Sequence, residues 1–296
     1  MPCERSTSAA VLAAVVHPDL AVATSLALAA AALHTAWNLL IKTAEDRDLA
    51  AWGQFVFGGV ALAPVVIWTG LPDAAAVPFL AASAVVHVFY VRALVAAYDH
   101  GDFSLAYPLA RGGGALTAAV LGVIALGDGL GLGGWLALAV VTVGLASLVR
   151  PGAPRSEVVY ALATAALIGT YTVIDAAGSR HTSNGFAYGV VLTFVTGATL
   201  TVVGVGRGRG PAFVASVRTG WARHLVSGIC LATAYSLVLV AVRYGSVGYV
   251  ATLRESSVVL GAALGWLLLN ERLGRRRLVS ALIVTVGLIA LVQSQM

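Results

Sequence analysis

Residues 103–126 read FSLAYPLARGGGALTAAVLGVIAL, twenty-four positions carrying a single charge, Arg111. A hydrocarbon core about 30 Å thick needs roughly 20 apolar residues at the rise of an α-helix, so this run is long enough to span one. Runs of the same kind recur from end to end. The pattern predicts ten helices, over Leu20–Lys42, Ala50–Gly70, Val77–Tyr98, Phe103–Leu126, Leu132–Val149, Glu157–Ala177, Gly185–Val205, Trp221–Arg243, Val247–Leu269 and Leu278–Val292. Almost nothing remains between them for a water-soluble domain. Most connections are short, which makes consecutive helices antiparallel neighbours.

Composition agrees. Of 296 residues, 59% are hydrophobic and 10% charged, with a mean hydropathy of +0.91. A soluble domain draws on about 25% charged residues to cover its surface, and a disordered chain has far less apolar content. The two cysteines, Cys3 and Cys230, have no reason to pair, so a disulfide-built fold is excluded too. The formal charge is +5, and Lys42 is the one lysine among 18 basic residues. The arginines concentrate in short connections between apolar runs, which is how a multi-pass protein fixes its orientation. They do not point to nucleic acid. Residues 1–19 hold a short apolar stretch, Ala9–Val16, which is expected to form a tail at the interface rather than a cleaved signal.

The opening stretch has a second copy. Laying Arg111–Val149 over Arg254–Val292, a shift of 143 without a gap, makes 14 of 39 positions identical. Roughly a tenth would match by chance in so restricted an alphabet. The matches include Arg111 with Arg254, Gly122 with Gly265, and Thr142-Val143-Gly144-Leu145 with Thr285-Val286-Gly287-Leu288, while Asp128 falls on Glu271. Upstream, a shift of 137 lays His34-Thr35 over Tyr171-Thr172 and Asn38 over Asp175. The unit has five helices, so the second copy must enter the membrane upside down. Its charges agree: Gly127–Gly134 has no Lys or Arg, whereas the aligned Asn270–Arg277 has Arg272, Arg275, Arg276 and Arg277. Connections one, three, five, seven and nine hold 12 basic residues, against three in the tails and the even connections. The positive-inside rule then puts both termini outside the cytoplasm. The expected organisation is a tail (1–19), a first repeat (20–149), a linker (150–156), a second repeat (157–292) and a C-terminal tail (293–296). The fold class is all-α: ten transmembrane helices in two inverted five-helix repeats around a central cavity.

A charge in mid-bilayer costs about 2.5–3.5 kcal/mol on insertion scales, so ionisable groups inside these helices carry the information. They are His34, His87, Arg92, Arg111, Asp175, Arg254 and Glu255, accompanied by Asn38 and Gln54 and by the polar-tipped aromatics Trp37, Tyr90, Tyr107, Tyr171 and Tyr249. Arg111 and Arg254 are retained by the duplication. A guanidinium stays protonated and presents a rigid fork of donors suited to a carboxylate or phosphate. Two readings stay open: both arginines bind solute anions, or each is locked to an internal acid such as Asp175 or Glu255. Around Arg111, Pro108 and the glycines Gly112, Gly113 and Gly114 weaken backbone bonding. They form either a hinge lining a path or a close-packing surface. Glu255 and Asp175 are candidates for carrying a proton, with His34 and His87 as alternatives or as structural groups. Asp128 and Glu271 each precede a helix, where an acid suits the positive helix start.

Enzyme and pump motifs are missing: no Gly-x-Ser-x-Gly, His-Glu-x-x-His, Cys-x-x-Cys or phosphate-binding loop occurs. His34 and His87 lack neighbouring ligands, so neither a metal nor a cofactor is expected.

The stretches His34-Thr35-Ala36-Trp37-Asn38 with Lys42, Tyr107-Pro108-Leu109-Ala110-Arg111, Tyr171-Thr172-Val173-Ile174-Asp175, Leu253-Arg254-Glu255-Ser256-Ser257 and Leu269-Asn270-Glu271-Arg272-Leu273 resemble the drug/metabolite transporter superfamily. The resemblance is to its EamA-type, twin-repeat members and runs from about Leu20 to Val292. It implies an inner-membrane secondary carrier that exports or exchanges small metabolites or toxic compounds by alternating access, often against a proton gradient. Two features depart from the family: Asp128 stands where Glu is usual, and relatives are described with cytoplasmic termini. The expected partners are a small anionic or zwitterionic solute, the bilayer and coupling protons, with room for a homodimer. Arg111 and Arg254 would be the anion contacts, and Tyr107, Trp37, Asn38, His34 and Tyr171 would shape the pocket. Rival readings are a lipid or lipid-precursor flippase on the same fold, an intramembrane enzyme, and a non-transporting subunit.

Overall fold

The computed structural model describes residues 18–99, 103–147, 154–260 and 275–294. The N-terminal tail, most of the linker, and the segment containing Glu271 and Arg272 lie outside the described residues. The helices are α1 (Pro18–Lys42), α2 (Arg47–Thr69), α3 (Val77–Asp99), α4 (Phe103–Leu126), α5 (Leu132–Ala146), α6 (Arg155–Arg180), α7 (Gly185–Gly206), α8 (Gly210–Ala241), α9 (Val247–Leu253) and α10 (Arg275–Ser294). A further helical stretch covers 256–260, and among the described residues no strand occurs. Among the described residues seven helices, α1 to α4 and α6 to α8, are long and apolar enough to cross a membrane, while Leu132–Ala146 and Val279–Ser294 are shorter apolar helices.

Local signals account for several boundaries. Asp46 starts α2 by accepting a hydrogen bond from the Leu49 amide at 3.0 Å, and Asn184 does the same for α7 with Ala187 at 3.0 Å. Gly70, at φ 91°, ends α2 in a conformation open to glycine. Helix α8 starts earlier than the sequence suggests, at Gly210 rather than Trp221. Its backbone leaves helical geometry once, at Gly220 (φ −134°, ψ 24°). The first part, read from its arginines as a connection, is held because Phe213 stacks on Trp52 with ring centroids 3.9 Å apart. In contrast, α4 runs unbroken through Pro108 and the three glycines. There Gly112 faces Leu145, Gly113 faces Ala165 and Gly114 faces Ile168, so closely that a methyl group at Gly113 or Gly114 would collide. The glycines here serve close packing. The break falls in the other half: the chain turns at Arg254 and Glu255 between α9 and 256–260.

Most packing joins the first half of the chain to the second: α4 on α6, α2 on α8, α3 on α6, α1 on α8, α2 on α7 and α5 on α10. Small residues permit it. Gly58 and Gly228 bring α2 and α8 together backbone to backbone, with no room for a Cβ on either. Beside them the Ser227 hydroxyl donates to Gln54 Oε1 at 2.8 Å, and Trp52 Nε1 donates to Thr201 at 2.8 Å. Helix starts recur at the spacing of the sequence repeat: α6 begins 137 residues after α1, and α10 begins 143 after α5.

The connections gather into two ends. At one, Arg209 pairs with Asp46 and Asp48, and Arg223 donates to the Thr43 carbonyl at 2.8 Å. At the other, Asp73 accepts from the Ser183 amide at 2.7 Å and its hydroxyl at 3.1 Å, while Arg243 donates to the Ser183 carbonyl at 2.9 Å. The same end holds a bidentate pair, in which Arg180 donates to both carboxylate oxygens of Asp128 at 2.7 and 3.1 Å. Asp128 does not cap the helix that follows it, as its position suggested. That helix starts at Gly131 without a side-chain cap, and Asp128 Oδ2 accepts instead from the Val247 amide at the start of α9, at 2.7 Å.

The Ser183 amide and hydroxyl hold the Asp73 carboxyl below the usual aspartate range. A carboxyl depressed in the folded state contributes stability above its unfolded pKa and loses it as pH falls through the folded value. Asp73→Asn should therefore lower the melting temperature in detergent near neutral pH, and the gap from wild type should shrink as the pH is taken below about 4. A gap independent of pH would contradict this.

Candidate functional site

A cavity of about 330 Å³ runs from the middle of the helices to the end where α1 meets α2. Ile41, Arg47, Leu94 and Val95 lie at its mouth, and His34, His87, Tyr171, Tyr235 and Arg254 at its depth. No described lining residue comes from the end held by Asp128 and Arg180. Its volume is in the range typical of sites for small organic molecules.

Five rings form its inner wall. His87 lies 4.2 Å from Tyr171, Tyr90 is 5.2 Å from Tyr171, and Tyr235 is 6.1 Å from Tyr171, centroid to centroid. Phe55 meets His87 edge-on at 6.4 Å. On the opposite side His34 packs edge-on against Trp37 at 4.6 Å, and Asn38 donates to the His34 carbonyl at 2.8 Å within α1. His87 Nδ1 is 2.9 Å from the Ser83 carbonyl, one turn back along its own helix. All these groups are held by rigid helices, so the wall is preformed.

The two arginines differ. Arg111 donates to Glu255 Oε1 at 2.7 Å; both side chains are buried, and Arg111 is not among the residues lining the cavity. Arg254 lines the cavity and makes no ion pair or side-chain hydrogen bond among the described residues. Its guanidinium carbon lies 5.9 Å from the Tyr235 ring centroid, a cation–π contact, and its Nε is buried without a partner. The Arg254–Glu255 turn brings this about. Adjacent residues of a regular helix point about 100° apart, and here the backbone tightens to three-residue hydrogen bonds, Ser257 to Arg254 and Val258 to Glu255, each at 3.0 Å. Thr35 of α1 donates to the Ser257 carbonyl at 3.1 Å, fastening the turn from the first half.

Asp175 is fully buried and does not line the cavity. It accepts from the Tyr188 hydroxyl at 3.1 Å and from the Tyr235 hydroxyl, so the ring beneath Arg254 is anchored on it. Of the residues expected to form a pocket, His34, Trp37, Asn38, Tyr171 and Arg254 come together, whereas Arg111, Glu255 and Asp175 stand behind the wall. The side chains of Tyr107 and Pro108 lie outside the described ones. Tyr235 and Arg47 are additional lining groups. Tyr235 could have been found by the reasoning that picked out Tyr90 and Tyr171, a polar-tipped aromatic in an apolar helix. Among the described residues no cluster of potential ligands could hold a metal ion.

These features define a multi-pass membrane protein with a solute-sized cavity that reaches one end of the helices. Residues 155–293 match the model of the EamA-like transporter family, in keeping with the resemblance read from the motifs. A solved crystal structure of a protein 17% identical superposes with a TM-score of 0.73 over 92% of this chain and 96% of its own; that likeness concerns the fold. No curated protein matches the sequence.

Removing one partner of a buried ion pair leaves the other uncompensated, at a cost of about 3–5 kcal/mol. Arg111→Met and Glu255→Gln should each lower thermal stability in detergent strongly. The double variant should be more stable than the sum of the two losses implies. Additive losses would show that the pair is not energetically coupled.

Proposed function

We propose that this protein is a secondary carrier that exports or exchanges a small organic solute bearing a carboxylate or similar anionic group, by alternating access between two inverted halves. The observation that carries the reading is Arg254, a buried cation with no carboxylate partner among the described residues, at the bottom of an aromatic-walled cavity. A guanidinium there offers a forked anion contact, and the rings around it suit the apolar body of an organic molecule better than an inorganic ion. Arg111 acts beside it as a structural cation, neutralised by Glu255.

Inversion of the halves is supported by which connections bond to one another. The first connection is tied to the seventh through Arg209, and the second to the sixth through Asp73. Equivalent connections of the two copies, the first and the sixth, thereby belong to opposite ends. Packing is reciprocal as well, with α3 on α6 answered by α1 on α8. The cavity extends to the end that carries most of the arginines, so under the positive-inside rule it faces the cytoplasm and both termini lie outside it. Of the two proton-carrying candidates, Asp175 is the better placed: Glu255 is engaged by Arg111, whereas Asp175 meets the neutral hydroxyls of Tyr188, Tyr235 and Ser83 and reaches the cavity through Tyr235.

The test starts from a thermal-stability screen of the purified protein against metabolite-sized organic anions, zwitterions and cations. Stabilisation by anions or zwitterions, followed by their flux into proteoliposomes, is the expected result. Arg254→Gln should weaken binding about tenfold to a hundredfold, the worth of a charge-assisted contact. Stabilisation by cations alone, or normal flux in Arg254→Gln, would overturn the assignment.

A further inference from the structure

Beside the bonds of Asp73 and Arg243 with Ser183, the closed end holds a cluster centred on one residue from each half. Asp128, in the connection after α4, is almost fully buried in its side chain, and Arg180, at the end of α6, is partly exposed. Their contact is a fork on a fork: Arg180 Nη1 and Nη2 reach the two carboxylate oxygens at 2.7 and 3.1 Å. Arg180 also donates from Nε and Nη2 to the Val242 carbonyl, at 3.1 and 3.0 Å, just after α8. Asp128 Oδ2 accepts from the Val247 amide at 2.7 Å. Two side chains thus tie together the ends of α4, α6 and α8 and the start of α9. Beneath them Ala241, Val242 and Val247 are packed out of reach of solvent.

Helix α9 gives this cluster a connection to the cavity. It is seven residues long, all of them buried, with Asp128 holding its first amide. Its other end is the turn that presents Arg254 to the cavity and Glu255 to Arg111. A buried segment this short moves as a rigid piece, so a shift of the Arg254 turn is transmitted to Val247, and the reverse.

We propose that Asp128 and Arg180 form a latch that keeps the end opposite the cavity shut, and that α9 links the latch to the Arg254 turn, so that the latch opens when the cavity closes. The proposal rests on the reading of the Arg254 cavity as the transport path. Opening this end requires α4, α6, α8 and α9 to separate there, and no such separation is possible while the fork is intact. The pair is concentrated where α9 begins, whereas the surface pairs of Arg209 with Asp46 and Asp48 stand at the mouth of the cavity and leave it open.

Accessibility tests this without a known solute. Single reporter cysteines, Ala241→Cys under the latch and Leu94→Cys at the cavity mouth, are placed in protein carrying Cys3→Ser and Cys230→Ser. Each is reacted with a membrane-impermeant maleimide from its own side. Asp128→Asn keeps an oxygen for the Val247 amide but removes the charge that Arg180 grips, and Arg180→Gln removes the fork. Each should speed labelling at Ala241→Cys about tenfold, the worth of one charge-assisted hydrogen bond, and slow it at Leu94→Cys. The double variant should add little. Arg180→Lys, the milder change, should shift both reporters in the same directions by less. Unchanged labelling overturns the latch, and so does faster labelling at both reporters, which would mean local loosening. Flux in Arg254→Gln is measured separately, so failure of the latch and failure of the solute-site reading are told apart.

Discussion

A guanidinium cannot shed its charge, and a low-dielectric interior does not tolerate one without compensation. Two such groups lie near the middle of this protein, and their different solutions organise everything around them. Arg111 is met by Glu255 at 2.7 Å and withdrawn behind the wall. Arg254 has the face of Tyr235 and the open volume of the cavity. That volume is what makes its charge tolerable, because water or a solute anion can supply what no carboxylate among the described residues does. The helix break at Arg254–Glu255 follows from the same requirement, since consecutive residues must serve an internal partner and a cavity on different sides.

Packing supplies the rest of the frame. Small residues let helices from the two halves approach at backbone distance, as at Gly58 and Gly228, so the halves form one body with the cavity between them. Each end is crossed by bonds between halves, but they differ in kind. Around Asp128 the bonds converge on buried backbone and on the start of α9, whereas those of Arg209 lie at the rim. The alternating-access carrier proposed above needs this asymmetry in any one state, with one end sealed and the other in contact with water.

Much of this could be read from the residues. Apolar runs marked an all-helical membrane chain, including the seven helices long enough to span, because length and hydropathy decide membrane helices with little help from tertiary contacts. Of the two retained arginines Arg254 pointed to the cavity, as did the ring-bearing residues His34, Trp37 and Tyr171, whereas Arg111 lies behind its wall. What stayed hidden depends on partners distant in sequence. No local feature says that Glu255 pairs with Arg111 rather than with nothing, or that Gly112, Gly113 and Gly114 fill a packing surface while the break falls at their counterparts in the second half. Asp128 has the same character. An acid before a helix suggests a cap for that helix, and only the packing of α9 beside it brings the Val247 amide within 2.7 Å. Hydropathy placed the start of this helix at Trp221, whereas the extension of α8 back to Gly210 depends on the stacking of Phe213 on Trp52.

An experimental structure of the protein with a stabilising organic anion is the most direct test of the central claim. The account predicts the anionic group within hydrogen-bond distance of the Arg254 guanidinium, its apolar part against Tyr171 and Tyr235, and Arg111 still paired with Glu255. A solute seated away from Arg254, or an Arg254 that turns to an internal carboxylate when the cavity is filled, would contradict it.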